Sequence, residues 1–388
     1  MRASLPFLLL VACSEAAPTQ PVAKPVEAPV ATPVSEATPV AAAAPAPAAP
    51  RLKGSAPADG CVIELEQRLA AGTRGLALPE GVLVASDDAL TLWQLAEDFR
   101  EGPRLKLDAP IAKASATCRD GRCELAWIDQ KMRLFHSQLG AELRPAKELA
   151  RGVDRRFAPA LATQGDRTLI AYTATVDEVM HTKLLGLRGD KQEPLQDITP
   201  ESHGAAAPTF LLGASTPTLV AIDAHAGISP LLELPLDGTG KPRESLVRTP
   251  ISQPFEPPQL AAVQWPSGEA EAFFTVIGKL AMTAIGRVPL RRTESITALS
   301  PSRGYGELSF AVARGTQRAL FACEVPVSAA PKAERKLELT LSDGKRDAHA
   351  LELEAPALAP SLARTQGGYV LAFTRGSEVH ATLLRCAD

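Results

Sequence analysis

The sequence predicts an all-β fold built from a repeated unit of short strands, on three observations. Pro110, Pro159, Pro208 and Pro258 fall 49, 49 and 50 residues apart, each ahead of an apolar strand start, and Pro301 and Pro360 continue the series less evenly. Pairs of short apolar runs, joined by turns rich in Gly, Asp and Lys, recur at the same interval, as hairpins demand. No amphipathic helical stretch competes with them between residues 110 and 388. A unit of three or four strands cannot bury both of its faces alone, so the units must stack around an axis. The predicted architecture is a seven-bladed β-propeller, with six and eight as the neighbouring counts that this period allows.

The unit is clearest at 159–185 and 360–384, where Pro159-Ala160-Leu161-Ala162 matches Pro360-Ser361-Leu362-Ala363. The seven apolar pairs, read as the second and third strands of each unit, are 82–85 with 90–95, 124–128 with 132–139, and 168–172 with 179–185. They continue as 219–222 with 228–234, 272–276 with 280–285, 308–312 with 319–325, and 369–373 with 379–384. After Leu384 only four residues remain, so the last unit lacks an outer strand. Residues 61–69 alternate apolar and polar ahead of the first unit and are expected to supply it, closing the ring and leaving no exposed edge. The propeller domain is then 58–388.

Cys118 and Cys123 bracket Asp120-Gly121, which places the two thiols face to face across a hairpin. A disulfide is the expectation, because no second Cys or His pair supplies the further ligands of a zinc site. Ring closure brings Cys61 and Cys386 to the same place and favours a second bridge, with Cys323 as an alternative partner for Cys61. Otherwise Cys323 is a buried strand thiol. Disulfides belong to exported proteins.

Ahead of the domain, 13–57 is a Pro- and Ala-rich segment with too little apolar bulk to fold. It is expected to be a disordered, polyproline-like tether, reaching on the order of 130 Å when extended. Residues 1–12 carry a cation, Arg2, and a short apolar run that is too brief to span a bilayer as a helix.

Leu10-Val11-Ala12-Cys13 resembles a bacterial lipobox. That resemblance implies a signal peptide over 1–12, acylation of Cys13 and a lipid anchor in a membrane. Ser14, where an Asp would signal inner-membrane retention, points to the outer membrane. With its signal, tether and repeats, the chain resembles exported bacterial lipoproteins carrying propeller repeats. Propeller repeats bring no particular activity with them.

Little in the sequence identifies chemistry. A net charge of -3 and an aromatic content of 4% argue against a nucleic-acid surface. The six histidines are scattered without metal spacing, and no phosphate loop, dinucleotide fingerprint or nucleophile elbow is present, so no cofactor is called for. Ser86 through Trp93 resembles the Asp-box of sialidase-type propellers only in part, with Leu90 where that box has Gly. Asp88, Asp129, Asp177 and Asp223 fall at the expected turns between second and third strands of units one to four. Lys279, Arg314 with Arg318, and Arg375 fall there in units five to seven. An acidic and a basic half on one face would suit a protein partner in the cell envelope. Thus a binding or scaffold module is the first expectation. A glycan hydrolase or lyase and a purely structural envelope protein are the alternatives.

Overall fold

The computed structural model describes residues 57–387, apart from 120, 141–142, 194–195, 199–203, 224–229, 252–258, 278–281, 293–295, 300–303, 306–307, 329 and 331. Residues 1–56, with Cys13, the expected signal segment and nearly all of the Pro- and Ala-rich segment, lie outside the described residues, as does Lys279. Every described element is a β-strand, and the strands fall into seven antiparallel meanders.

Burial follows strand position within a meander. Second strands are flanked on both faces by neighbouring meanders and read as continuous apolar runs, such as Gly81–Ala85 and Gly368–Arg375. The outermost strand Cys61–Ala71 alternates, with its polar residues turned to solvent. In meanders three and five the outer position is filled by two-residue strands, Lys191–Gln192 with Gln196–Asp197, and Thr297–Ala298 with Gly304–Tyr305. Meanders four and five are also joined edge to edge by a short parallel contact, Leu211 to Ala262 and Leu212 to Val263.

The core is a set of apolar layers between successive meanders. Phe273 of meander five meets Phe321 of meander six with ring centroids 4.5 Å apart. Between meanders seven and one the layer holds Val370, Ala372 and Val379 against Val82 and Val84. Gly75 is required there, because a Cβ would sit 2.7 Å from Val379 Cγ1 and 2.9 Å from the Ala372 Cβ.

The ring closes through the first and last strands. Cys61–Ala71 runs antiparallel to Glu378–Cys386, with Cys61 opposite Cys386 and a disulfide between them. A second disulfide joins Cys118 to Cys123, which face each other in one hairpin. Cys323 is a buried free thiol whose pKa burial pushes far up. The innermost strands surround a central channel of about 330 Å³, lined by residues from all seven meanders.

Strands alternate in direction, so the turns between first and second strands and between third and fourth strands share one face of the disc. The turns between second and third strands, and the links between meanders, share the other.

Candidate functional site: a polar groove between meanders four and five

A cavity of about 780 Å³ lies on the face of the first-to-second and third-to-fourth turns. Its size is that of a ligand cleft. Its floor comes from strands Leu231–Pro235 and Ala270–Ile277, and its rim from the turn after the first, with Arg243 and Glu244, the turn before the second, with Ser267 and Glu269, and the turn that carries Arg291 and Arg292.

At the floor, Glu233 is only 2% exposed and is held by an arginine from the next meander. Arg291 donates from Nε to both Glu233 oxygens at 3.1 and 3.0 Å, and from Nη2 to Oε1 at 2.6 Å. Its backbone N–H donates to Thr249 Oγ1 at 2.8 Å, so both ends of Arg291 anchor on meander four. The residue adopts φ 65°, a left-handed conformation that side-chain-bearing residues seldom take. These contacts over-determine it, which is how such strain persists.

Beside this pair, buried Trp265 donates its indole N–H to Glu271 Oε2 at 2.9 Å. Burial pushes the Glu271 carboxyl above the ordinary carboxylate range, against the smaller opposing pull of Arg287 and of the indole bond. Arg287 is itself paired with Asp347 at 3.0 Å. Gly344, at φ 86° in the last turn of meander six, lies against the Trp265 ring, where a Cβ would come within 2.8 Å. On the rim, Arg292 and Glu269 form an exposed ion pair at 2.7 Å, with exposed Arg243 and Glu244 beside the groove.

The turn charges singled out in the sequence are not gathered into this groove. Asp88 accepts from Ser86 Oγ at 2.9 Å and pairs with Arg104 at 3.1 Å; the Ser86 bond, followed by the Arg104 charge, holds its carboxyl below its usual value. Asp129, 1% exposed, accepts from the backbone N–H of Lys131 and Arg133 and from Arg133 Nε. Asp177 occupies a left-handed turn with Glu178, and Asp223 is buried at its strand end. Arg375 pairs with Glu66 at 3.1 Å and covers the Phe373 ring.

Those five share the face opposite the groove. Arg314 does not: it ends an inner strand, at the turn between first and second strands, and donates to the carbonyls of Gln264, Gly315 and Arg318. In meander six the runs 308–312 and 319–325 are the first and second strands. The third strand, Arg335–Ser342, follows only after a long turn, so pairing the nearest apolar runs displaces the reading by one strand. Arg314, and Arg318 in the same turn, therefore do not belong to the face that carries the other five.

No described protein family matches the sequence, and no curated protein does. Solved structures resemble it in fold. The BP39L lectin from Burkholderia pseudomallei aligns with TM-score 0.54 at 12% identity, over 82% of this chain and 96% of that one. Raptor from Chaetomium thermophilum aligns with TM-score 0.53 at 12% identity over 85% of this chain, which spans only 28% of the Raptor chain. A Trypanosoma rangeli sialidase in complex with sialic acid aligns with TM-score 0.47 at 9% identity, over 87% of this chain and 60% of that one. At such identities the likeness is one of architecture alone, and that architecture is a β-propeller.

Proposed function

We propose that the chain is a lipid-anchored envelope protein whose seven-bladed propeller binds another protein through the groove between meanders four and five. One observation carries the binding reading. Glu233 and Glu269 are ion-paired with Arg291 and Arg292, and Glu271 accepts a hydrogen bond from the Trp265 indole, so each groove carboxyl already has a partner and the rim is charged and exposed. Such a surface suits a polar segment of a partner, with rim charges setting specificity and encounter rate.

The lipobox-like Leu10-Val11-Ala12-Cys13 and the Pro/Ala segment support an anchor at Cys13 in the outer membrane. The Cys61–Cys386 disulfide suits both export and mechanical load, since it sits where the tether enters the domain. A photo-crosslinking residue at position 292 should trap a discrete protein in native envelopes, whereas one at position 88, on the opposite face, should not. Cys13→Ala should release the protein from the membrane fraction. Equal trapping at both positions, or none, defeats the binding reading.

A second reading, a glycan hydrolase or lyase, is favoured by Glu271. A carboxyl whose pKa burial raises, in the same groove as an ion-paired Glu233, is the kind of asymmetry that acid catalysis uses. Release of reducing sugar from envelope glycans, abolished by Glu271→Gln, would establish it in place of the first.

A further inference from the structure

The central channel is separate from the groove and carries charge of one sign. Among the described residues that line it, the charged ones are Arg74 and Lys113, on the adjacent inner strands Arg74–Leu78 and Ile111–Arg119, and none is Asp or Glu. The remainder are mostly small or apolar, with hydroxyls at Ser115, Thr209, Ser309 and Ser361.

Arg74 is the unusual member. Its backbone is fixed in the ladder opposite Ala85, yet its guanidinium makes no hydrogen bond or ion pair with any described residue. Arg133, Arg167, Arg291 and Arg335, by contrast, each reach a carboxylate. Part of Arg74 remains open to the channel, while the surrounding protein desolvates it enough to pull its pKa down, and no carboxylate among the described residues opposes the effect. A cation removed from bulk water without a counter-charge is unfavourable for folding. Nothing in the packing of the inner strand requires one, because a small or apolar side chain lines the channel at most other places.

A guanidinium presents a planar fork of donors that matches the two oxygens of a carboxylate or the edge of a phosphate. The channel volume of about 330 Å³ is at the lower end for ligand cavities, which admits a small acid and excludes a folded partner. We propose that the central channel is a binding site for a small oxyanion, a carboxylate or phosphate group seated on Arg74 with Lys113 adding positive potential beside it.

The test is thermal unfolding of the full-length protein, titrated at constant ionic strength with inorganic phosphate in one arm and succinate in the other. Expected is a saturable rise in Tm with at least one of them, absent in Arg74→Gln and preserved in Arg314→Gln on the opposite side of the disc. Arg74→Gln without ligand should unfold at the same or a higher temperature than the native protein, because it removes an unpaired cation. Non-specific stabilisation by these anions rises without saturating and persists in the variant. Should Arg74→Gln not fold, Arg74→Lys keeps the charge without the fork and should weaken binding about tenfold. A saturable response retained in Arg74→Gln, no saturable response in either arm, or unweakened binding in Arg74→Lys would overturn the proposal.

Discussion

Cys61 and Cys386 occupy the first register position of the strand pair that closes the ring, and a disulfide joins them across 325 residues of sequence. The position matters mechanically. Cys61 is where the Pro/Ala segment enters the domain, so a pull on that segment would begin to peel the outer strand at this pair. Loop-closure entropy gives a bridge of this span about 5 kcal/mol, against about 2 kcal/mol for the short Cys118–Cys123 loop. Urea unfolding should therefore show a much larger loss for Cys61→Ser with Cys386→Ser than for Cys118→Ser with Cys123→Ser. Equal losses would mean that the ring is held closed by strand pairing alone.

Arg291 should be sensitive in two separable ways. Removing its guanidinium leaves Glu233 buried without its counter-charge, and because Arg291 itself is half-exposed the expected cost is about 2 kcal/mol for Arg291→Ala. Arg291→Gly loses the same pair but relaxes φ 65°, so it should be less destabilised than the alanine variant by about 0.5–1 kcal/mol. Chemical denaturation of the two variants side by side measures the difference.

Glu271 gives the groove a pH signature. Its folded pKa is raised, so in the pH range above the unfolded carboxylate value the folded state retains a proton that the unfolded state has lost. Stability contributed at this site then falls as pH rises through that window and levels off above the folded pKa. Glu271→Gln keeps an acceptor for the Trp265 indole and removes the titration. Its stability relative to the native protein should rise as pH increases above the ordinary glutamate value of about 4.3, and level off above the folded pKa. A pH-independent difference would contradict the burial-driven shift.

Gly344 couples meander six to the groove floor. Gly344→Ala should cost about 1–2 kcal/mol through its left-handed φ and displace the Trp265 ring, changing tryptophan emission. Unchanged emission would show that the turn can move away without disturbing the indole.

Much of the fold was legible because it is written locally. Period, hairpin turns and the switch from continuous to alternating apolar runs are properties of neighbouring residues, and they place strands such as Gly368–Arg375 and Cys61–Ala71 in the right layers. The Cys118–Cys123 bridge was legible for the same reason, from the turn between its residues. The groove was not. Glu233, Glu271 and Arg291 come from two meanders and meet only once the ring is assembled, so no spacing announces them. Arg74 is a single cation at a strand start and looks like any solvent-facing residue until the channel surrounds it. Arg314 was displaced by the long turn in its own meander, which hides the order of strands.

The proposed binding of a protein rests on the groove's ion-paired Glu233 and Glu269 and on its exposed rim charges. Affinity capture from solubilised native envelopes, comparing the native chain, Arg243→Glu with Arg292→Glu, and Asp88→Asn on the other face, tests it most directly. One partner should be enriched equally by the native chain and Asp88→Asn, and reduced about tenfold or more, about 1.4 kcal/mol, by the groove variant. The same partner recovered undiminished by the groove variant, or none recovered by the native chain, would contradict it.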